Sequence, residues 1–168
     1  MNIFRTAKKE SGITLTELLI TVSIVGILAV ALGFSFQGWM GNYRIESELK
    51  QIYADIMDVR TRAMTQNRMH FIVINSGNYA VYEDTNDNNA ANPGAVDTLL
   101  KTTTLQYNVE STGTGTITFN TKGLTTSSAA ISIPITLPSG ASPDFDCIVV
   151  YQSRVAMGKM SGVNCVYK

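Results

Sequence analysis

The chain is poor in the residues on which most enzyme chemistry rests. A single histidine, His70, occurs in 168 residues, so a site built on a histidine pair is excluded, and Ser-His-Asp chemistry cannot be placed by spacing. At the start of an apolar strand pattern, beside Met69 and Phe71, His70 reads as a structural or simply exposed residue. No G-x-x-x-x-G-K-[ST] stretch is present, which removes nucleotide hydrolysis on a P-loop. Cysteine is limited to Cys147 and Cys165, with no C-x-x-C pair and no histidine nearby, against a zinc site or a thioredoxin-like motif. The pair reads as a disulfide. Closing a loop of about 19 residues would contribute roughly 3 kcal/mol and would persist only in an oxidising compartment such as the bacterial periplasm. The alternative is two buried free thiols. An excess of charge is missing too: Lys and Arg number 13, and so do Asp and Glu, so no global field draws the chain to nucleic acid or to an acidic lipid surface.

What the sequence does have is an apolar run at one end. From Leu18 to Tyr43 no residue is charged, and Leu18 to Met40 alone would span about 35 Å as a helix, enough to cross the hydrocarbon core of a bilayer. Arg5, Lys8 and Lys9 precede the run, which places the N-terminus in the cytoplasm and the rest of the chain outside, with Trp39 and Tyr43 at the outer interface. A cleaved secretory signal would be shorter and would end in an A-x-A-like site, and none closes this run. An ordinary signal anchor fits the length but leaves Glu17 unexplained. A carboxylate at mid-membrane costs roughly 2.5 to 3.5 kcal/mol on insertion scales, less where it can snorkel.

The residues around Glu17 carry a resemblance. A short basic leader ending in Gly12, then Ile13-Thr14-Leu15-Thr16-Glu17-Leu18-Leu19 and an apolar helix containing Gly26, resembles the class III signal of type IV pilins and pseudopilins, whose pattern is a glycine, a hydrophobic residue (usually Phe) and T-L-x-E-L. Ile13 stands where Phe is usual, and Thr16 where an apolar residue is common. The family's helix-kinking proline is replaced by Phe34 after Gly33. With Gly38 and Gly41, the stretch from Gly33 to Asn42 would still have the means to bend or unwind. The resemblance implies that a prepilin peptidase cuts after Gly12, that the new amino group of Ile13 is N-methylated, and that the apolar helix becomes the core of a filament. Glu17 then has a physical role. Its carboxylate can neutralise the amine of a neighbouring subunit in a low-dielectric core, a pairing that sets register because breaking it strands a buried charge at a cost of roughly 3 to 5 kcal/mol.

Beyond Asn42, Ile45, Leu49, Ile52, Tyr53, Ile56 and Ala63 recur at three- and four-residue spacing with charged residues between them, which predicts an amphipathic helix to about residue 67, continuous with the apolar segment. From His70 the period changes to two. A hairpin around Ser76-Gly77-Asn78 is expected, with further strands at Thr104 to Val109, Thr116 to Asn120, Ile131 to Leu137, Phe145 to Tyr151, Arg154 to Met157 and Asn164 to Tyr167. The fold class is α+β: a leader over 1–12, a transmembrane and filament-core helix over 13–43, an amphipathic continuation over 44–67, and an antiparallel β-rich head of two small sheets over 68–168. A long helix entering such a head directly resembles the GspH/FimT group of minor pseudopilins and minor pilins. The stretch from Val81 to Asn89 followed by D-x-L-L, and the strands around Cys147 to Met160, are similar to that group as well.

Two further motifs bear on function. Asp84, Asn86 and Asn88 have the alternating oxygens of a calcium loop, but Asn89 stands where the turn glycine belongs and Ala95 at the twelfth place, so an Asx-rich surface loop is the reading preferred, with no cofactor required. FimT-like members are associated with DNA uptake through a basic G-R-x-R motif. Here Arg154, Gly158, Lys159 and the terminal Lys168 supply too few cations for phosphate contacts, so nucleic acid is not the expected partner. The reading is a non-enzymatic minor pilin-like subunit, held in the inner membrane with its head in the periplasm, and then built into a type II secretion pseudopilus or type IV pilus near its tip. Expected partners are other pilins or pseudopilins, the prepilin peptidase, and an assembly platform driven by a separate ATPase. Rival readings are a major filament subunit, a DNA receptor at a pilus tip, and a monomeric signal-anchored protein.

Overall fold

The computed structural model describes residues 12–94, 96–113, 115–127 and 130–168, with side chains described for all of these except 31–38. The basic leader therefore lies outside the described residues, apart from Gly12. Among the described residues one helix, α1 (Leu15–Gln66), is followed by eight strands: β1 (His70–Asn75), β2 (Asn78–Glu83), β3 (Thr98–Thr104), β4 (Thr116–Phe119), β5 (Ile131–Pro134), β6 (Cys147–Val150), β7 (Val155–Ser161) and β8 (Asn164–Tyr167). The chain divides into two units, one up to Trp39 and one from Met40 to Lys168.

In the first unit, Thr14 caps the helix. Its hydroxyl accepts the Glu17 N–H at 3.2 Å, satisfying one of the amides that a helix N-terminus leaves open. Glu17 lies in that first turn, where a negative charge complements the helix dipole. The backbone is helical at Gly33, Gly38 and Gly41, without the local unwinding their sequence permits. Thr21 and Ser23 turn their hydroxyls back to the carbonyls of Leu18 and Leu19 at 2.9 and 2.8 Å. That is how hydroxyls are satisfied on a helix whose surroundings offer no water. Among the described residues, no helix is long and apolar enough to cross a membrane.

In the second unit, the α1 stripe of Ile45, Leu49, Ile52, Ile56, Val59 and Ala63 is wholly buried. The sequence reading names each of these except Val59. The helix stops where Asn67 turns left-handed at φ 50° and the Arg68 N–H closes back on the Ala63 carbonyl at 3.3 Å, a Schellman-type cap. Two four-stranded antiparallel sheets then follow, in orders β3-β2-β1-β4 and β5-β6-β7-β8. Side chains alternating toward α1 build one core: Ile72 and Ile74 of β1, Tyr79 and Val81 of β2, Ile117 and Phe119 of β4, Ile133 of β5, and Ile148 and Val150 of β6. The α+β class expected from the sequence is the one observed.

Strand β6 is buried on both faces. Ile148 and Val150 face the helix-side core, while Cys147 and Val149 enter a second, smaller cluster with Cys165, Ala156, Met160 and Tyr151. The Cys147–Cys165 disulfide closes that second layer, with the two Cα atoms 6.0 Å apart. The two cysteines lie on strands separated by β7 in the sheet. The bridge thus reaches across β7, whose Gly158 pairs with Cys147 and whose Met160 pairs with Cys165.

One expected strand is displaced. The alternation of Leu105, Tyr107 and Val109 predicts an extended segment from Thr104 to Val109, and these three do pack against the core. The segment nevertheless leaves the sheet, since the Gln106 and Tyr107 N–H groups are taken by the Glu48 carboxylate of α1. The actual strand is β3, Thr98–Thr104, exposed almost throughout and so without the alternation that marks a strand in sequence. At the other end, β7 runs on to Ser161, because Gly158 to Ser161 pair with β8.

Candidate functional site

The residues expected to carry processing and assembly sit at the start of α1. Gly12 and Ile13 precede the helix and are exposed, with Ile13 at 77%. Apolar side chains from Leu15 to Val30 are exposed around the helix, among them Leu18, Leu19, Val22, Val25 and Leu28. An apolar surface of this extent needs an apolar medium or another subunit. The Glu17 carboxylate has no hydrogen-bond or ion-pair partner among the described residues, only its backbone N–H being engaged, by Thr14.

The carboxylates of the second half of α1 behave differently, and the sequence reading missed them. Asp55 accepts from the Tyr79 hydroxyl and from Lys101 Nζ, the latter at 2.7 and 2.8 Å. Burial first, and the hydrogen bond to Asp55 second, push the Tyr79 phenol well above its ordinary range. Glu48 holds the crossover through the Gln106 and Tyr107 amides. Glu46 accepts from the Asp144 N–H at 2.8 Å, and Asn42 exchanges two bonds with the Ser142 backbone, at 2.9 and 3.3 Å. Each flanks the apolar stripe, and that position is the signal that would have found them. Past the helix end, Arg68 spans Glu83 and Asp87 at 2.7 and 3.0 Å, and its bond to Glu83 is the largest influence raising its pKa.

The remaining candidates are placed as follows. The Asp84 carboxylate accepts the Asn88 and Asn89 N–H groups at 3.3 and 2.8 Å, Asn86 Oδ1 accepts from the Asn88 N–H, and Asn88 Oδ1 accepts from Ala90. These three side chains thus order an Asx-rich loop, and no group of three or more His, Cys, Asp or Glu able to hold a metal occurs among the described residues. Arg154 lies over the rings of Tyr151 and Tyr167, at 5.0 and 4.4 Å. Lys159 donates to the Pro143 carbonyl at 2.6 Å, and Lys168 stands 4.0 Å from Asp144. Two of the three cations are met by the loop 142–144 and the third by aromatic faces, an arrangement unlike a phosphate-binding track.

A helix with an exposed apolar first half, joined in sequence to an antiparallel two-sheet head clipped to its second half, defines a pilin-like filament subunit. Residues 7–33 match the prokaryotic N-terminal methylation motif, and residues 48–153 match the family of the type II transport protein GspH. The chain belongs to that family, whose members are structural subunits of the pilin and pseudopilin type and not enzymes. No curated protein matches the chain. Its fold is similar to that of the type IV minor pilin FimU of Pseudomonas aeruginosa strain PAO1. One crystal structure of FimU aligns with a TM-score of 0.51 at 13% identity, over 67% of this chain and 90% of that one. A second crystal form aligns at 0.50 and 12%, over 67% and 87%. At such identities the likeness speaks for the fold alone.

Proposed function

We propose that the chain is made as an inner-membrane precursor, cleaved after Gly12, N-methylated on Ile13, and incorporated at low copy near the tip of a type II secretion pseudopilus or type IV pilus, where it helps initiate assembly. The observation that carries this reading is the methylation motif over 7–33 set directly before a GspH-type head. The apolar half of α1 would serve as membrane anchor and then as polymerisation surface. Its Thr21 and Ser23 hydroxyls are already bonded to their own helix, and its one carboxylate, Glu17, is left for the amine of a neighbouring subunit. The head, braced independently by Asp55, Glu48 and Glu46, is free to offer specific contacts to other minor subunits or to cargo. Its partners on this reading are other pilins or pseudopilins, the prepilin peptidase and a platform with its own ATPase.

The test is the intact mass and N-terminal sequence of protein isolated from membranes with and without the host's prepilin peptidase. A chain beginning at methylated Ile13 only when the peptidase is present is expected, and a chain retaining Met1 in both would overturn the reading. Glu17→Ala should then leave cleavage intact and abolish incorporation into filaments.

A further inference from the structure

Of the three cations near the C-terminus, Arg154 alone meets no oxygen. Its guanidinium lies 5.0 Å from the centroid of the Tyr151 ring and 4.4 Å from that of Tyr167, and among the described residues its side-chain N–H groups reach no hydrogen-bond or ion-pair partner. The register explains the setting. Cys147 and Val149 of β6 turn away from α1 into the second cluster, Val149 pairs with Ala156, and Gly158 pairs with Cys147 on one side and Tyr167 on the other. Tyr151, Ala156, Gly158 and Tyr167 therefore share that outer face. Ala156 and Gly158 present almost no side chain, so the guanidinium can lie over β7 between rings carried on either side of it.

Two features of this face suit it to a partner. It is open: Tyr167 is 52% exposed, Arg154 is exposed, and Tyr151, Ala156 and Met160 are only half-buried. It is also held in advance. A ring face attracts a cation, and with a ring on each flank the long arginine side chain has little rotamer freedom left to lose on binding. Tyrosine, methionine and arginine are the residues that interfaces concentrate, and a ring-flanked arginine has the make-up of a hot-spot anchor.

The charge identifies the occupant. A nucleic-acid backbone calls for several cations, whereas Lys159 is spent on the Pro143 carbonyl and Lys168 faces Asp144. One positive charge remains. A guanidinium is weakly hydrated, and its planar fork matches a carboxylate through two parallel bonds. We propose that the outer face of the second sheet docks a partner protein through an aspartate or glutamate, set among apolar side chains, that pairs with Arg154. This names a contact for the head and rests on the proposed function for the partner's presence in the periplasm.

The full chain, with p-benzoylphenylalanine in place of the exposed Ser153, would be photocrosslinked in its host's cells and the joined peptides sequenced by mass spectrometry. The N-terminal mass of the same sample reports cleavage after Gly12 separately, so a failure of that reading is told apart from a failure of this one. The expected result is one joined partner peptide containing Asp or Glu. Its yield should fall by more than about tenfold with Arg154→Glu and return when that partner carboxylate is changed to arginine. Arg154→Lys, which keeps the charge but not the fork, should give an intermediate yield, and it serves as the second variant if the first does not fold. No crosslink, a yield indifferent to both substitutions, or no return with the exchanged charges would overturn the proposal. So would a yield that falls only in step with the melting temperature, which would make Arg154 a cap on its own sheet. Binding of duplex DNA by the full chain, kept by Arg154→Lys and abolished by Arg154→Glu, would overturn it in favour of a phosphate ligand.

Discussion

Gly158 is the position where the architecture of the second sheet is most exposed to a single methyl group. A Cβ there would lie 2.3 Å from the Val166 carbonyl oxygen, 2.7 Å from its carbon and 2.9 Å from Tyr167 Cα. Carbon contacts are comfortable near about 3.5–4.0 Å, so β8 would have to retreat by roughly an ångström. It cannot do so freely, because it is laddered to β7 from Gly158 to Ser161 and tied to β6 through Cys165. Overpacking of this kind costs about 1–3 kcal/mol, and a lost ladder bond adds about 1 kcal/mol. Restricting the unfolded chain returns about 0.5 kcal/mol. Gly158→Ala should therefore destabilise the protein by about 2–3 kcal/mol, read as a lowered urea midpoint. The control is Gly77→Ala, whose added Cβ would meet only Asn108 Oδ1 at 3.9 Å and should shift stability by less than about 0.5 kcal/mol. Reduction of the disulfide should shrink the Gly158→Ala penalty by about 1 kcal/mol, because an untethered β8 can swing away. If the two glycine variants unfold at the same urea concentration, β8 does not lie against β7 as described.

Three other outcomes are expected. Replacing both cysteines with serine opens a closure of sequence separation 18 and should cost roughly 3 kcal/mol; an unchanged midpoint in oxidised and reduced samples would argue that the bridge constrains nothing. Because burial and Asp55 raise the Tyr79 phenol, the folded state favours the neutral ring, so its contribution is complete below about pH 10, where an unfolded tyrosine titrates, and is lost as pH climbs above that. Tyr79→Phe should accordingly flatten the alkaline loss of stability seen in a pH series of melts, at a cost of about 1–2 kcal/mol near neutrality. Ile52→Ala, at 1% exposure in the centre of the α1 stripe, should cost about 2–5 kcal/mol by thermal melt, and a cost below about 1 kcal/mol would place the helix off the sheets.

How far the fold was legible depended on whether a residue's role left a period behind. Ile45, Leu49, Ile52 and Ile56 repeat at helical spacing because one face of α1 is buried, and Ile72, Ile74, Tyr79 and Val81 sit two apart because that face of the sheet meets the helix, although β1 is buried on its other face as well. Strand β3 shows no period, since both of its faces are largely exposed. The crossover at 105–109 shows a false one, its inward side chains alternating while Glu48 takes the Gln106 and Tyr107 amides. The cysteine pairing was legible because only two cysteines exist. That they bridge over an intervening strand was not, because sheet order is a property of long-range pairing. Asp84, Asn86 and Asn88 form a calcium-like pattern in sequence, but their side-chain oxygens are spent on the N–H groups of their own loop, the Asx-rich reading that the sequence favoured.

The contrast between the carboxylates of α1 is the strongest structural argument for what the helix does. Asp55, Glu48 and Glu46 each accept bonds from the head they support, so mutating any of them would act through folding. Glu17 accepts none among the described residues, and removing its charge should leave the head's stability untouched. A carboxylate kept in an apolar segment at a cost to insertion, with only the helix dipole to favour it inside the chain, fits the proposed pairing with the amine of a neighbouring subunit. The two halves of the helix are thus separable by experiment. A defect from Glu17→Ala should appear in filament incorporation with an unchanged melt, and a defect from Asp55→Ala should appear in the melt first. If Glu17→Ala lowers the melting temperature as Asp55→Ala does, its role is structural and the filament argument loses its central residue.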